Sequence, residues 1–404
     1  MESATGKSVP ILVSAPYELR TLDAIFSPKS VAVFGVGKDG SPDAQIILSN
    51  LIEHSFKGAV FSICSDGPAI PGTRCYPTLS AVGQPVDLAV IAAPASQVPG
   101  IVGECIDAGA KGAVIVSSGF RECGSDGLDL ERQVVEQARR GRIRIIGPNS
   151  HGVVNTATGL NASTVRAMPR KGGVAFVSQS GALGAAVLDW SRREQVGFSV
   201  FVSIGSMLDV GWGDLIYYLS DDASTRSILL YMESVGDARS LLSAAREVAL
   251  AKPIIVLQAG ATDGGRRAAA SHSGSLTGDL PVLDAAFRRT GVLRVNTVGE
   301  LFDMAETLGK QPRPAGPRLT IVTNSGASAV LAVDELIANG GELTRLTDRS
   351  VQALERMLPN GTNAENPVDL GDDAGPSRYA AALEIAANDE NSSGMLVILT
   401  PHTG

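Results

Sequence analysis

Short apolar segments alternate with longer helical patterns along almost the whole chain, and this alternation limits the fold more than any other feature. Continuous β-branched strands separated by helical crossovers are typical of a parallel sheet covered on both faces. The sequence therefore predicts a doubly wound α/β chain whose first domain, residues 21–150, is Rossmann-like and follows an N-terminal extension over 1–20. Its predicted strands are 30–35, 58–63, 87–94, 112–119 and 143–149, with helices at 43–54 and 127–140.

The pattern then restarts twice. Strands are predicted at 172–181, 198–205, 227–233 and 253–260, and the helix from Ala182 has one apolar face. The segment 318–337 repeats the character of 173–190: an apolar strand, a Ser-Gly turn and an alanine-rich helix. We therefore predict further doubly wound domains over 151–312 and 316–404, joined through the Pro-rich segment 309–318. The last apolar strand, 394–404, has no helix after it, so we expect the third domain to be incomplete.

Composition restricts the classes of partner. The net charge of −8 does not favour nucleic acid or an anionic membrane surface, and no apolar run reaches a membrane span or a signal peptide. We therefore expect a cytoplasmic protein. The cysteines form no CxxC pair, which predicts buried reduced thiols without a metal site at Cys64, Cys75, Cys105 and Cys123.

Two glycine-containing turns are candidate anion sites. "FGVGKDG" (34–40) follows the first strand, and its glycines allow a phosphate to approach, although a turn needed only for packing explains them too. An NAD site is disfavoured, because Asp66 is the only candidate acid for the ribose. "SQSGALG" (178–184) gathers hydroxyls and helix N–H groups at one point, which predicts a phosphate or oxyanion cradle. An ordinary N-cap explains Ser180 alone.

His272 lies among small residues in "AAASHSGSLTG" (268–278). It could be a surface bystander, and no nearby Cys or His completes a metal site. A histidine that accepts a phosphoryl group on a mobile loop needs an anion cradle and a carboxylate to orient the imidazole. The Ser178–Gly181 turn and Glu233, at the end of a predicted strand, supply these groups.

The chain resembles the NDP-forming acyl-CoA synthetases, the family of ADP-forming acetate–CoA ligases and relatives of succinyl-CoA synthetase. The resemblance covers residues 21–404. Its motifs are "VDLAVIAAPASQVPGIVGECIDAGAKGAVIVSSGF" (86–120), "RIIGPNSHGVVN" (144–155), "GGVAFVSQSGALGAAVLDW" (172–190), "DLIYYLSDDASTRSILLYMESVGDAR" (214–239), "AAASHSGSLTG" (268–278) and "NPVDLGDDAG" (366–375).

The resemblance implies a Rossmann-like CoA-binding domain and two flavodoxin-like domains, the last incomplete. It also implies that His272 is phosphorylated, that Glu233 steadies it, and that Ser178, Gln179, Ser180 and Gly181 hold the phosphoryl group. The residues implied in CoA binding are Gly35, Gly37, Lys38, Gly40, Pro94 and Asn149. The implied reaction converts acyl-CoA, phosphate and ADP into acid, CoA and ATP, through acyl phosphate and a phosphohistidine on a swinging loop.

An ATP-grasp module is absent from the sequence, so the resemblance implies a partner subunit or further domain that binds ATP or ADP with Mg²⁺, within an oligomer. The chain departs from the family's usual motifs at 258–267, 62–67, Ser206 and Ser150. The partners implied are CoA and a small carboxylic acid, and the acyl group stays open. A regulatory acyl-CoA-binding module, as in N-acetyltransferase fusions, is the alternative function; a nicotinamide-dependent Rossmann enzyme is a third possibility.

Overall fold

The described residues form two compact units, one up to Lys310 and one from Gln311 onward. This boundary falls inside the Pro-rich segment that the sequence predicted as a linker. The predicted N-terminal extension lies outside the described residues, and the predicted domain boundaries stay predictions. Among the helices described, none is long and apolar enough to cross a bilayer. The computed structural model describes residues 22–37, 40–54, 56–64, 73–273, 280–359 and 361–401.

The first unit begins with a parallel sheet. Its strands are β1 (Ser30–Phe34), β2 (Ala59–Ile63), β3 (Cys75–Tyr76), β4 (Leu88–Ile91), β5 (Gly112–Ile115) and β6 (Arg144–Ile146). The strand order β3-β2-β1-β4-β5-β6 confirms the predicted Rossmann-like domain. Strands β1, β4 and β5 are buried along their whole length, as their continuous apolar sequences indicate. The helices are α1 (Asp23–Phe26), α2 (Pro42–Glu53), α3 (Val98–Asp107) and α4 (Ser125–Gly141).

A second sheet follows in the same unit. Its strands are β7 (Gly152–Asn155), β8 (Leu160–Ser163), β9 (Lys171–Ser178), β10 (Phe198–Ser203), β11 (Ser227–Met232), β12 (Ile254–Gln258) and β13 (Leu293–Val295). The order β13-β12-β11-β9-β10-β7-β8 contains a parallel flavodoxin-like core. The hairpin β7–β8, which the sequence analysis missed, adds to β10 antiparallel. The helices are α5 (Gly181–Arg193), α6 (Trp212–Asp221), α7 (Ala238–Val248), α8 (Asp263–Ser273), α9 (Leu280–Thr290) and α10 (Val298–Lys310).

The two sheets of the first unit share one apolar core. A single cluster of buried side chains runs from Val31 and Val33 of β1 to Val153 of β7 and Val200 of β10. Buried amides reinforce this junction, since Asn50 on α2 donates to the Ser163 carbonyl at 2.8 Å. Because packed interiors deform little, the facing ends of the two sheets are held in a fixed relation.

The second unit is a smaller parallel sheet in which β14 (Arg318–Thr323) pairs β15 (Glu342–Leu343), β16 (Val368–Asp369) and β17 (Gly394–Ile398). Its helices are α11 (Gly326–Ala338), α12 (Asp348–Glu355) and α13 (Pro376–Ala387). The predicted repeat is confirmed, because β14 and α11 are separated by two residues, as β9 and α5 are. Strand β17 is partly exposed, with Met395, Leu396 and Val397 between 37% and 43% accessible.

The cysteine prediction is wrong for three of the four side chains. Cys64 and Cys75 form a disulfide with their Cα atoms 5.6 Å apart. The parallel pairing of β2 with β3 brings these residues together, which their spacing in sequence does not reveal. Cys123 is exposed, whereas Cys105 is buried and its burial raises the pKa of the thiol.

Thiol titration of the unfolded chain tests the disulfide. Without reductant, two thiols should react, those of Cys105 and Cys123; after reduction, four should react. Since the disulfide spans 11 residues, its reduction should lower the free energy of unfolding by about 3 kcal/mol. The variant Cys75→Ser is the control and should show three thiols without reductant. Four reactive thiols in the unreduced wild type would contradict the disulfide.

Candidate functional site

The Ser178–Gly181 turn lies where β9 ends and α5 begins, as the sequence predicted. Ser180 is the N-cap of α5, and its hydroxyl accepts a hydrogen bond from the Leu183 N–H at 3.3 Å. Gly181 and Ala182 are the first helical residues, so their N–H groups have no acceptor within the helix. N–H groups of this kind, together with the positive end of a helix dipole, favour an anion at the start of a helix.

Two of the predicted phosphate ligands, Gln179 and Ser178, make hydrogen bonds that position the turn. The Gln179 amide oxygen accepts from the N–H groups of Glu233 at 2.6 Å and Ser234 at 2.8 Å, and its nitrogen donates to the Ser234 hydroxyl at 2.9 Å. The fully buried Ser178 hydroxyl donates to the Ser180 carbonyl at 2.7 Å. These contacts hold the start of α5 against the end of β11.

Glu233 follows β11 directly and therefore lies at the carboxyl end of a parallel strand, where doubly wound sheets carry their functional groups. Its backbone N–H is held by Gln179. Burial, and then the negative charge of Glu233, raise the pKa of the neighbouring Tyr231. The carboxylate is half-buried and lines the same cavity as Gly181.

This small cavity, of about 270 Å³, lies between the two sheets of the first unit. Its walls include the predicted site residues Asn149, Gln179, Ser180, Gly181 and Glu233. It also includes residues that the sequence analysis did not propose as site residues: Glu122, His151, Ala182, Gly205 and Ser206. The fold thus joins one end of the first domain to the anion site of the second.

His151 could have been found from the sequence, because it stands two residues after Asn149 in "GPNSHG". Its Nδ1 lies 2.8 Å from the Thr164 hydroxyl, and its backbone N–H donates to the Ser203 hydroxyl at 2.9 Å. A Cβ atom at Gly181 would overlap the imidazole ring. Glycine at the first position of α5 therefore makes room for His151 beside the anion site.

A large cavity of about 780 Å³ opens at the carboxyl ends of β1 and β4, the point where the order of the first sheet reverses. Ligands of open α/β sheets bind at this position. Gly35, Gly37, Gly40 and Pro94 of the predicted CoA site line it, whereas Asn149 does not. Lys38 and Asp66 lie outside the described residues.

The backbone conformation after β1 requires glycine at Gly35 and Gly40. Gly35 has a φ of +89°, and a Cβ atom there would overlap the Ala92 carbonyl oxygen of the adjacent chain segment. A Cβ at Gly40 would overlap the Gly35 carbonyl. Helix α2 begins just beyond, capped by the Ser41 hydroxyl, which accepts from the Asp43 N–H at 3.2 Å. Tight packing therefore explains why Gly35 and Gly40 are glycines. The turn they form also places the start of α2 at the large cavity.

His272 lies on helix α8, which ends at Ser273. The sequence analysis expected a loop here; alanine-rich segments favour helix, and that propensity prevails over residues 263–273. The His272 side chain and residues 274–279 lie outside the described part. Within the described residues, no group of three or more His, Cys, Asp or Glu side chains could hold a metal ion.

Three family models match the chain in succession. Residues 29–156 match a CoA binding domain, 171–308 a succinyl-CoA ligase like flavodoxin domain, and 319–403 a ligase-CoA domain. These matches agree with the Rossmann-like and flavodoxin-like sheets described above.

Named relatives cover almost all of this chain. It is 42% identical over 380 residues to the acetate–CoA ligase [ADP-forming] I of Archaeoglobus fulgidus, spanning 94% of this chain but only 55% of that protein. It is 40% identical to the alpha subunit of acetate–CoA ligase [ADP-forming] I of Pyrococcus furiosus, over 91% of this chain and 80% of the subunit.

A solved structure agrees. The dinucleotide-forming acetyl-coenzyme A synthetase 1 of Ca. Korarchaeum cryptofilum, in complex with phosphate and ADP, superposes with a TM-score of 0.88 at 35% identity. The match covers 94% of this chain and 82% of that one. The names of these relatives give no support to the N-acetyltransferase alternative.

Proposed function

Because this chain belongs to the family of ADP-forming acetate–CoA ligases, we propose that it carries the acyl-transfer and first phosphoryl-transfer steps of acid–CoA ligation. In the direction that consumes acyl-CoA, phosphate attacks the thioester carbon, the carbon–sulfur bond breaks, and acyl phosphate and CoA form. An imidazole nitrogen of His272 then attacks phosphorus, and the carboxylic acid leaves. The reverse sequence makes acyl-CoA.

One observation carries this proposal: the free N–H groups at the start of α5 and the Glu233 carboxylate share the small cavity. The N–H groups of Gly181 and Ala182, with the helix dipole, stabilise the negative oxygens of a phosphoryl group. The Glu233 carboxylate accepts a hydrogen bond from the distal N–H of a histidine and supports the positive charge of its phosphorylated ring. A cradle and a carboxylate at this spacing serve phosphoryl transfer to histidine better than they serve plain packing.

CoA is a substrate here, and we place it in the large cavity, where the Gly35–Gly40 turn and the start of α2 face its phosphates. The acid is a small carboxylic acid of unspecified chain. Nucleotide exchange at the phosphohistidine is assigned to an ATP-grasp module, in a partner subunit or a further segment, that binds ADP or ATP with Mg²⁺. The cytoplasmic location and an oligomeric state stay predictions.

Labelling the isolated chain tests the proposal without nucleotide. Incubation with ³²P-labelled acetyl phosphate, or with acetyl-CoA and ³²P-labelled phosphate, should introduce acid-labile, base-stable label, because a phosphorus–nitrogen bond has those stabilities. Label should not exceed one phosphoryl group per chain and should be lost on adding acetate. The heat-unfolded chain is the control. Absence of label from both donors in the folded wild type would contradict the proposed function.

A further inference from the structure

Glu122 has a carboxylate oxygen that the fold leaves without a partner. The residue lies in a single 3₁₀ turn (Arg121–Cys123) after β5. Its Oε1 accepts a hydrogen bond from the Gly119 N–H at 2.7 Å. Its Oε2 is buried and has no hydrogen-bond donor among the described residues. The side chain lines the small cavity.

Packing does not explain this arrangement. An unsatisfied buried polar atom destabilises a fold, and more so when it is charged. A guanidinium stands next in sequence, yet Arg121 is turned to Glu131: its Nε lies 2.8 Å and 3.0 Å from the two Glu131 oxygens. Glu131 is fully buried, so that ion pair is a fixed part of the core. The fold thus holds Glu122 in place by one oxygen and keeps the other as a vacant acceptor.

The position of Glu122 is informative because its loop runs from one cavity to the other. Ser117 and Ser118 line the large cavity, and Glu122, a few residues on, lines the small one. The Asn149 N–H, on the small-cavity side, donates to the Ser117 carbonyl at 2.9 Å. On the proposed function, a CoA molecule in the large cavity would reach an acyl phosphate in the small cavity by passing this loop.

Of the substrates expected in the small cavity, the CoA thiol is the one that must lose a proton in order to react. Phosphate and a carboxylate are already nucleophiles at neutral pH, whereas a thiol becomes one only as the thiolate. We propose that Glu122 is the general base for CoA: Oε2 takes the thiol proton as sulfur bonds to the carbonyl carbon of the acyl phosphate. The bond from that carbon to the phosphate oxygen breaks, and phosphate leaves. In reverse, protonated Glu122 returns the proton to the departing sulfur.

This inference rests on the proposed function and adds a named proton acceptor to it. The ionisable groups around Glu122 are Arg121 and Glu131, which pair with each other, and His151 and Glu233 across the small cavity. Of the two cavity residues, the proposed function assigns Glu233 to His272, and the Nδ1 of His151 is engaged with the Thr164 hydroxyl.

The variant Glu122→Gln tests the assignment in the full-length chain. Its carboxamide oxygen can still accept from the Gly119 N–H, so the fold and the thermal unfolding temperature should be unchanged. With acetyl phosphate as donor, phosphohistidine label should stay within about twofold of wild type, because that step involves no thiol. Synthesis of acetyl-CoA from acetyl phosphate and CoA should fall by about thirtyfold at pH 7, because only the ionised fraction of the thiol then reacts. Glu136→Gln, an exposed glutamate of α4, is the matched control and should resemble wild type in both assays.

A pH profile separates proton transfer from structural support. Only about 3% of a thiol with a pKa of about 8.5 is ionised at pH 7. Without its base, the variant depends on that fraction, so its rate should rise about tenfold per pH unit up to about pH 8.5, whereas the wild-type rate should not.

Each contrary result has a distinct meaning. Thioester synthesis at the wild-type rate in Glu122→Gln would overturn the assignment. So would loss of the histidine label in that variant, or a raised KM for CoA with unchanged kcat, since either would make Glu122 a binding contact. If wild type itself neither takes up label nor makes acetyl-CoA, the proposed function fails, independently of Glu122.

Discussion

Replacing His272 with asparagine should abolish the acid-labile, base-stable phosphoryl label entirely. Asparagine has about the size of imidazole but no nucleophilic ring nitrogen, so a phosphorus–nitrogen bond cannot form at that position. Binding of acetyl phosphate at the start of α5 should persist, because its donors are backbone N–H groups. The measurement is label per chain after incubation with ³²P-labelled acetyl phosphate, with thermal unfolding as a check of the fold.

His151 is a second histidine that could accept the phosphoryl group, so the prediction can be tested against it. The imidazole of His151 lies against Gly181, inside the small cavity, and is the matched control. His151→Asn should keep the label, since its Nδ1 is engaged with Thr164 and the acceptor is expected at position 272. The reverse pattern, with label lost in His151→Asn and kept in His272→Asn, would move the nucleophile to His151 and refute the assignment made here.

Gly35→Ala should remove CoA binding and destabilise the first unit. At a φ of +89°, any side chain is strained, and the added Cβ would overlap the Ala92 carbonyl oxygen. Strain and overpacking together should lower the free energy of unfolding by about 2–5 kcal/mol. The turn must shift, which moves the start of α2 out of the large cavity. Calorimetric titration with CoA and denaturant unfolding measure the two effects.

The matched control separates backbone strain from collision. Gly109 has a φ of +83°, and a Cβ there would meet nothing within 4 Å. Gly109→Ala should therefore lose only about 1–2 kcal/mol, the strain alone, and should bind CoA normally. Equal losses in the two variants would show that the Ala92 contact does not matter. Normal CoA binding by Gly35→Ala would show that the turn is not part of the CoA site.

Much of the fold was predictable because long apolar strands carry their own signal. The predicted strands at 30–35 and 227–233 correspond to β1 and β11, within a residue or two. The strands that were not predicted from the sequence are short. Strand β3 has two residues, and the β7–β8 hairpin has four-residue strands, so neither shows a periodicity that separates it from a loop.

The site was predictable in part. Ser180 and Gly181, predicted to bind an anion, line the same cavity as Glu233, because these residues follow strands of one parallel sheet. Gln179 was assigned a phosphate contact from its place in the motif, yet its amide is engaged with Glu233 and Ser234. A motif fixes the place of a residue in the sequence, but it does not show which group its side chain bonds in the folded protein.

By itself, the sequence determined the alternation of strands and helices, the repeated strand–turn–helix unit and the position of the turn before α5. These properties depend on residues adjacent in the chain, and local propensity and periodicity encode them. Only the tertiary structure decided that Cys64 pairs with Cys75, that His151 lies beside Gly181, and that Glu122 keeps a buried oxygen without a donor. The pairing of β2 with β3 brings Cys64 to Cys75. The other two facts depend on how the chain packs in the first unit, which local sequence patterns do not encode.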